Sequence, residues 1–246
     1  MELNADFSKR ATAHAAQLEW LASPMAGVER RMLDRLGDEV ARATTVVRYA
    51  PGSHFSPHIH DGGEEFLVLE GVFQDEHGDF ATGTYVRNPP QLRHTPGSAV
   101  GCVILVKLWQ FDPADRTHVR IDTNKMAYVA SAARPNVEIM PLFRDRGEDV
   151  RLEHWPAGEL ISLSLPAGGE FFVLDGAFKE GGETFETLSW LRLPAGGRLD
   201  ATAGPSGCRL WVKTDHLAGQ RICRGWPDSP ARPAKYATSN TANEEG

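Results

Sequence analysis

Cysteine is scarce: Cys102, Cys208 and Cys223 are the only three among 246 residues. An odd, sparse set with no CxxC pair cannot make a disulfide framework and fits a reducing compartment. Basic charge is in deficit too, with 26 Lys and Arg against 33 Asp and Glu, a formal net charge of −7. No local basic cluster overrides that balance, so the electrostatic footprint of nucleic-acid binding is missing. Long apolar runs are absent, the longest being Cys102 to Trp109, which Lys107 interrupts; a membrane-spanning helix needs about 20 apolar residues. Met1 to Arg10 carries charges where a secretory leader needs an apolar run. The chain therefore reads as cytoplasmic, with neither nucleic acid nor membrane among its partners. No P-loop, dinucleotide fingerprint or Gly-x-Ser-x-Gly elbow is present, which removes support for kinase and hydrolase chemistry. What remains is 41% apolar and 24% charged, the composition of a globular protein large enough for one large or two medium domains.

The chain repeats itself. The segment from Gly71, GVFQDEHGDFATGTYVRNPP, aligns without a gap on GAFKEGGETFETLSWLRLPA from Gly176, an offset of 105 residues. Further on, Gly101 to Lys107 matches Gly207 to Lys213, and upstream Ala50-Pro51-Gly52 matches Pro156-Ala157-Gly158. Each copy consists of short runs rich in Val, Leu, Phe, Tyr and Trp, such as Thr44 to Tyr49, Glu65 to Leu69 and Val103 to Leu108. Gly, Pro and Asp turns separate them, the pattern of an all-β sandwich or barrel. Ser8 to Met25 is compatible with a short helix or an irregular strap. The alternation in His118 to Ile121 predicts a strand in the connector. Residues 1–125 and 126–226 are thus expected to be two tandem domains, with a disordered tail over 227–246.

One constellation in the first copy carries chemistry. His58 and His60 are two apart, so on a strand both imidazoles share a face, and Glu64 joins them if the alternation continues. Imidazole and carboxylate suit Zn, Fe, Ni and Mn alike and leave positions open for water, substrate or oxygen. One divalent transition metal ion is expected, its identity undetermined. Glu65 is off by one in register and should point away. His94 lies beyond a Gly-to-Pro turn on the neighbouring strand. Chance alone gives His-x-His-x3-Glu-x6-Gly only about 0.002 times in a chain of this composition, so coincidence is a weak explanation.

Gly52-x5-His58-x-His60-x3-Glu64-x6-Gly71 resembles the first cupin motif, and Gly83-x5-Pro89-x-Gln91-x2-His94 resembles the second, with Gln91 where glycine is usual and Ser98 in place of its terminal Asn. The wording GGEEFLVLEGVF, GTYVRNPP and GC-x3-VK is similar, more narrowly, to the cupin domain of ChrR-type anti-sigma factors. The resemblance implies an all-β bicupin, two tandem jelly-roll barrels, with His58, His60, Glu64 and His94 as metal ligands. It does not carry a sigma factor over as partner. That role belongs to a separate helical zinc domain, whereas here the first cysteine is Cys102 and the first 45 residues are too short for a helical bundle.

Aligning Gly158 on Gly52 places Ser164 opposite His58, Pro166 opposite His60 and Leu199 opposite His94, with Glu170 left near the Glu64 position. The second barrel is therefore expected to hold no metal and to serve packing or pairing of the barrels. His54, Tyr85, Arg87 and Gln91 are candidate pocket residues, with no catalytic acid or base assigned. Cys102, Cys208, Lys107 and Lys213 recur in both copies, which favours structural roles; Trp109, Trp155, Trp190 and Trp211 read as core or inter-barrel filling. Two function classes follow: a ChrR-like sensory or small-ligand-binding metal protein, or an Fe(II)-dependent dioxygenase acting on a hydroxylated aryl ketone or diketone, which the resemblance also allows. A homodimer paired through sheet edges is expected.

Overall fold

A computed structural model describes residues 1–38 and 40–218; Cys223 and the expected tail over 227–246 lie outside the described residues. Strands dominate, and helix is confined among the described residues to two 3-10 turns, Ala15–Gln17 and Thr123–Lys125. None of these helices is long and apolar enough to cross a membrane. The segment from Ser8 to Met25 is a strap of short strands, Ala11–His14 and Leu21–Ala22, around the first of those turns.

The main sheet of the first barrel runs in the order Glu2–Leu3, Val28–Gly37, Ala41–Tyr49, Cys102–Leu108, Glu64–Asp75, Thr84–Asn88, Val119–Asp122. The second barrel repeats the order with Val129–Ala130, Glu138–Arg144, Asp149–Trp155, Gly197–Thr214, Gly169–Glu180, Ser189–Leu193 and Ala11–His14. The recurring glycines mark the same close approach in both copies. Gly71 and Gly176 have φ of 71° and 74°, and a Cβ there would lie 2.0 Å from the Gly101 carbonyl oxygen or 2.2 Å from that of Gly207. Only glycine fits such a position.

The last strand in each order comes from the other copy of the repeat. Ala11–His14 pairs with Ser189–Leu193 of the second barrel, and Val119–Asp122, its counterpart in the second copy of the repeat, pairs with Thr84–Asn88 of the first. Each copy of the repeat thus lends its opening strand to the other's sheet. One strand inside residues 1–125 therefore belongs to the other barrel.

Strand alternation then sorts every side chain. Phe66, Val68, Val86, Ile104 and Val106 fill the first barrel, and Phe171, Val173, Leu191, Leu210 and Val212 fill the second. The opposite faces meet in a third core containing Leu67, Tyr85, Leu105, Leu152, Phe172, Trp190 and Trp211. Trp155 packs inside the second barrel, as Trp190 and Trp211 pack between the two. Cys102 and Cys208 are buried, and burial lifts their thiols to about 11 and about 12, which makes them inert core residues.

The recurring lysines sit on the inter-barrel face and cross it. Lys107 Nζ donates to Glu170 Oε2 at 2.6 Å, and Lys213 Nζ donates to Glu65 Oε2 at 2.6 Å. All four are almost fully buried. Glu170 is held further by Trp190 Nε1 at 3.0 Å and His216 Nε2 at 2.8 Å, Glu65 by the Tyr85 hydroxyl at 2.6 Å. Lys213 also contacts Glu148 at 2.7 Å, and Glu148 accepts from Arg87.

Burial pushes the His216 imidazole down to about 4 despite the Glu170 carboxylate, with Lys213 and Lys107 adding to the depression. A histidine depressed in the folded state contributes stability that is present above its unfolded value near 6.5 and is lost as pH falls through the folded value. Denaturant midpoints should therefore drop between about pH 6.5 and pH 4, by up to about 3 kcal/mol from this residue. His216→Gln, which keeps a donor for Glu170, should flatten that part of the profile. An unchanged slope would assign the acid sensitivity elsewhere.

Candidate metal centre

The metal-site motif folds as two short antiparallel strands, His58–His60 and Leu92–His94, with His94 opposite His58 and Leu92 opposite His60. Glu64 does not arrive by continued alternation. A turn at Asp61-Gly62-Gly63 breaks the strand, closed by the Gly63 amide donating to the His60 carbonyl at 3.1 Å. Gly63 has φ of 76°, and a Cβ on Gly62 would lie 2.2 Å from the Trp109 ring, so both glycines are required for the fold-back. The turn sets Glu64 beside the histidines, Oε1 3.5 Å from His60 Nε2 and Oε2 3.6 Å from His94 Nε2.

The three imidazoles converge through the same atom. His60 Nε2 lies 3.0 Å from His58 Nε2 and 2.8 Å from His94 Nε2, and one ligand atom from each of the three lies within 4.8 Å of the others. Two of the three outer nitrogens are committed. His58 Nδ1 donates to the Ser56 carbonyl at 2.8 Å, and His94 Nδ1 donates to Asp75 Oδ2 at 3.1 Å. Both acceptors can only accept, so each of these two rings carries its hydrogen on Nδ1 and, without a second proton, turns a bare Nε2 lone pair inward. A proton on His60 Nε2 satisfies one of them at most. A cation satisfies all, and the donor set fits a metal ion.

The electrostatics differ from residue to residue: burial lowers the His94 imidazole, but Glu64 and Asp75 outweigh it and raise it above the ordinary histidine value. Burial pushes His60 down to about 4, against the pull of Glu64, which keeps it neutral and able to coordinate. Burial would raise the Glu64 carboxyl, but His60 and His94 outweigh it and hold it below the ordinary range, with Asn88 Nδ2 donating to Oε2 at 3.3 Å. The wall around the histidines is aromatic: Phe55 lies 5.7 Å from the His58 ring, Phe73 6.3 Å from His94, and Tyr49 within 6 Å of both phenylalanines.

Of the pocket candidates, none joins this cluster. His54 and Gln91 are exposed. Tyr85 and Arg87 face the inter-barrel core, where they bond Glu65 and Glu148, because Thr84–Asn88 turns alternate residues inward and those two have the outward parity. Asn88, opposite Glu64 in register, and Asp75 are the supporting residues that sequence reasoning passed over; Asn88 has the parity that could have found it. Gln91 has φ of 76°, as does Gly196, its counterpart in the second barrel. A non-glycine residue pays roughly 1 kcal/mol or more for that conformation. Gln91→Gly should therefore raise stability by up to about 1 kcal/mol, and a drop in melting temperature would show that the exposed side chain contributes after all.

The second barrel is stripped of ligands more completely than the alignment on Gly158 suggests. Strand pairing sets Leu163 opposite Leu199 and Leu165 opposite Gly197, the places of His58, His94, His60 and Leu92 in turn. The true counterparts of His58 and His60 are thus Leu163 and Leu165, not Ser164 and Pro166, because the loop after Gly158 is one residue shorter. Gly169, opposite Leu193, stands where Glu64 stands opposite Asn88. Glu170 is the counterpart of Glu65, the carboxylate bound to the other barrel's lysine.

Residues 8–112 match the family described as the ChrR cupin-like domain. No curated protein matches the chain closely enough to count as a relative. Among solved structures, a candidate dioxygenase from Nostoc punctiforme PCC 73102 superposes with TM-score 0.66 at 14% identity, over 90% of this chain and 85% of its own. The protein Ylba from Escherichia coli gives 0.65 at 12% identity, covering 85% and 92%. The bacterial pirin YhhW from Escherichia coli, solved in complex with nickel(II), gives 0.60 at 13% identity, covering 84% and 98%. At such identities the likeness is one of fold. With the repeated barrels and the turn-built histidine cluster, residues 8–112 are similar to the ChrR cupin-like domain, and the chain as a whole shares its two-barrel fold with these solved structures.

Proposed function

We propose that this chain binds one divalent transition metal ion on His58, His60, Glu64 and His94 and serves as a sensory or small-ligand-binding metal protein. The observation that carries the reading is the convergence of three Nε2 atoms, two of them on rings whose outer nitrogens are already committed. Four protein ligands leave one or two positions open on a five- or six-coordinate ion, and an ion held there would act as a Lewis acid on an incoming oxygen donor. The chain's own residues supply the rest. Ser56 and Asp75 orient the imidazoles, Asn88 orients Glu64, and Tyr49, Phe55 and Phe73 form an apolar wall. The second barrel, with leucines at the ligand positions, acts as a scaffold that buries one face of the first. Pairing of two copies through the open sheet edges, in the cytoplasm, belongs to the same reading.

A second reading, an Fe(II)-dependent dioxygenase acting on a hydroxylated aryl ketone or diketone, draws support from the aromatic wall, which suits a flat apolar substrate beside a chelating group. Metal identity separates the two, since redox-inert zinc cannot activate oxygen. Elemental analysis of protein purified without a chelating column is the test. Near-stoichiometric iron with substrate-dependent oxygen consumption would favour the dioxygenase. Near-stoichiometric zinc with no oxygen uptake is the outcome for the binding protein.

A further inference from the structure

Asp75 closes the strand Glu64–Asp75, so one strand supplies the carboxylate of the cluster at one end and a second carboxylate at the other. The Asp75 side chain is 2% exposed and the His94 side chain is fully buried. Its two oxygens have separate tasks. Oδ2 accepts from His94 Nδ1 at 3.1 Å, and Oδ1 accepts from the His77 backbone amide at 2.7 Å, which locks the carboxylate in place. The second barrel provides an internal comparison. Position 180, the counterpart of Asp75, is a glutamate turned to Arg10 at 2.7 Å, and position 199, the counterpart of His94, is leucine. Where the ligand is absent, the carboxylate at that position is turned to another partner.

We infer that Asp75 is a positioning residue that fixes His94 as an Nε2 ligand and adds the second negative charge that matches a divalent cation. The inference rests on the metal reading above. A carboxylate behind a ligating imidazole selects the tautomer, orients the ring and raises its basicity, and losing such a partner typically costs about 10- to 100-fold in metal affinity. Asp75→Asn keeps an acceptor and removes the charge; Asp75→Ala removes both.

The test is competitive titration of the full chain with nickel(II) and zinc(II) against a chromophoric chelator, with nitrogen-15 spectra of the histidines in metal-free protein. Asp75→Asn should weaken binding by about 10-fold or more and Asp75→Ala by about 100-fold, and in Asp75→Ala the His94 signal should leave the Nδ1–H form. A purely structural role would lower the melting temperature and leave affinity and tautomer unchanged. Wild-type affinity in both variants, or an Nε2–H tautomer in the metal-free wild type, would overturn the assignment of Asp75 alone. A wild-type protein that binds neither metal would overturn the metal reading and this inference with it.

Discussion

Lys213→Met should lower the unfolding free energy by about 3–5 kcal/mol, the cost of removing one partner from a buried ion pair. The stem is kept, so the loss isolates the charge. Lys213 lies between Glu65 and Glu148, and these carboxylates outweigh burial and raise its ammonium above the ordinary lysine value. Without it, two buried carboxylates lose their shared cation. Lys107→Met should cost less, because Glu170 keeps His216 and Trp190 as donors. The double variant Lys213→Met, Glu65→Gln should recover part of the loss, since the charge left alone is then removed as well. Urea unfolding of the full chain should show one cooperative transition for every variant, because each copy of the repeat contributes a strand to the other's sheet and the two share the core around Trp190 and Trp211. Two separated transitions would contradict this interlocked arrangement.

His94→Ala should weaken metal binding by more than the roughly 100-fold upper cost of losing an outer partner, since it removes a ligand itself. His54→Ala, four residues before His58 and exposed, should leave affinity unchanged. Equal affinities in the two variants would disperse the site.

Much of this was legible in the sequence. The repeat and the His-x-His spacing carry their own geometry, because a period of two places both imidazoles on one face. Glu65 does point away, but through the turn at Asp61-Gly62-Gly63 that sets Glu64 beside the histidines, not through a parity carried across it. Two expectations are corrected, each for its own reason. Placing Ser164 and Pro166 at the ligand positions rested on an anchor glycine, and the one-residue difference in the loop before the strand is invisible until the pairing is seen. Tyr85 and Arg87 were read as pocket residues, although their alternation against Asn88 turns them outward. The exchange itself could not be read, although the alternation in His118 to Ile121 did mark one of the strands. Ala11–His14 and Val119–Asp122 are short, and which sheet edge receives them is decided by tertiary contact rather than by their own residues.

X-ray absorption at the metal edge of the native, full-length protein, combined with its metal content, tests the central claim most directly. The account predicts about one metal ion per chain, in a shell of three imidazole nitrogens at roughly 2.0–2.1 Å if the ion is zinc, completed by oxygen from Glu64. A metal-free protein that refuses loading, or a shell with sulfur or without imidazole, would contradict it.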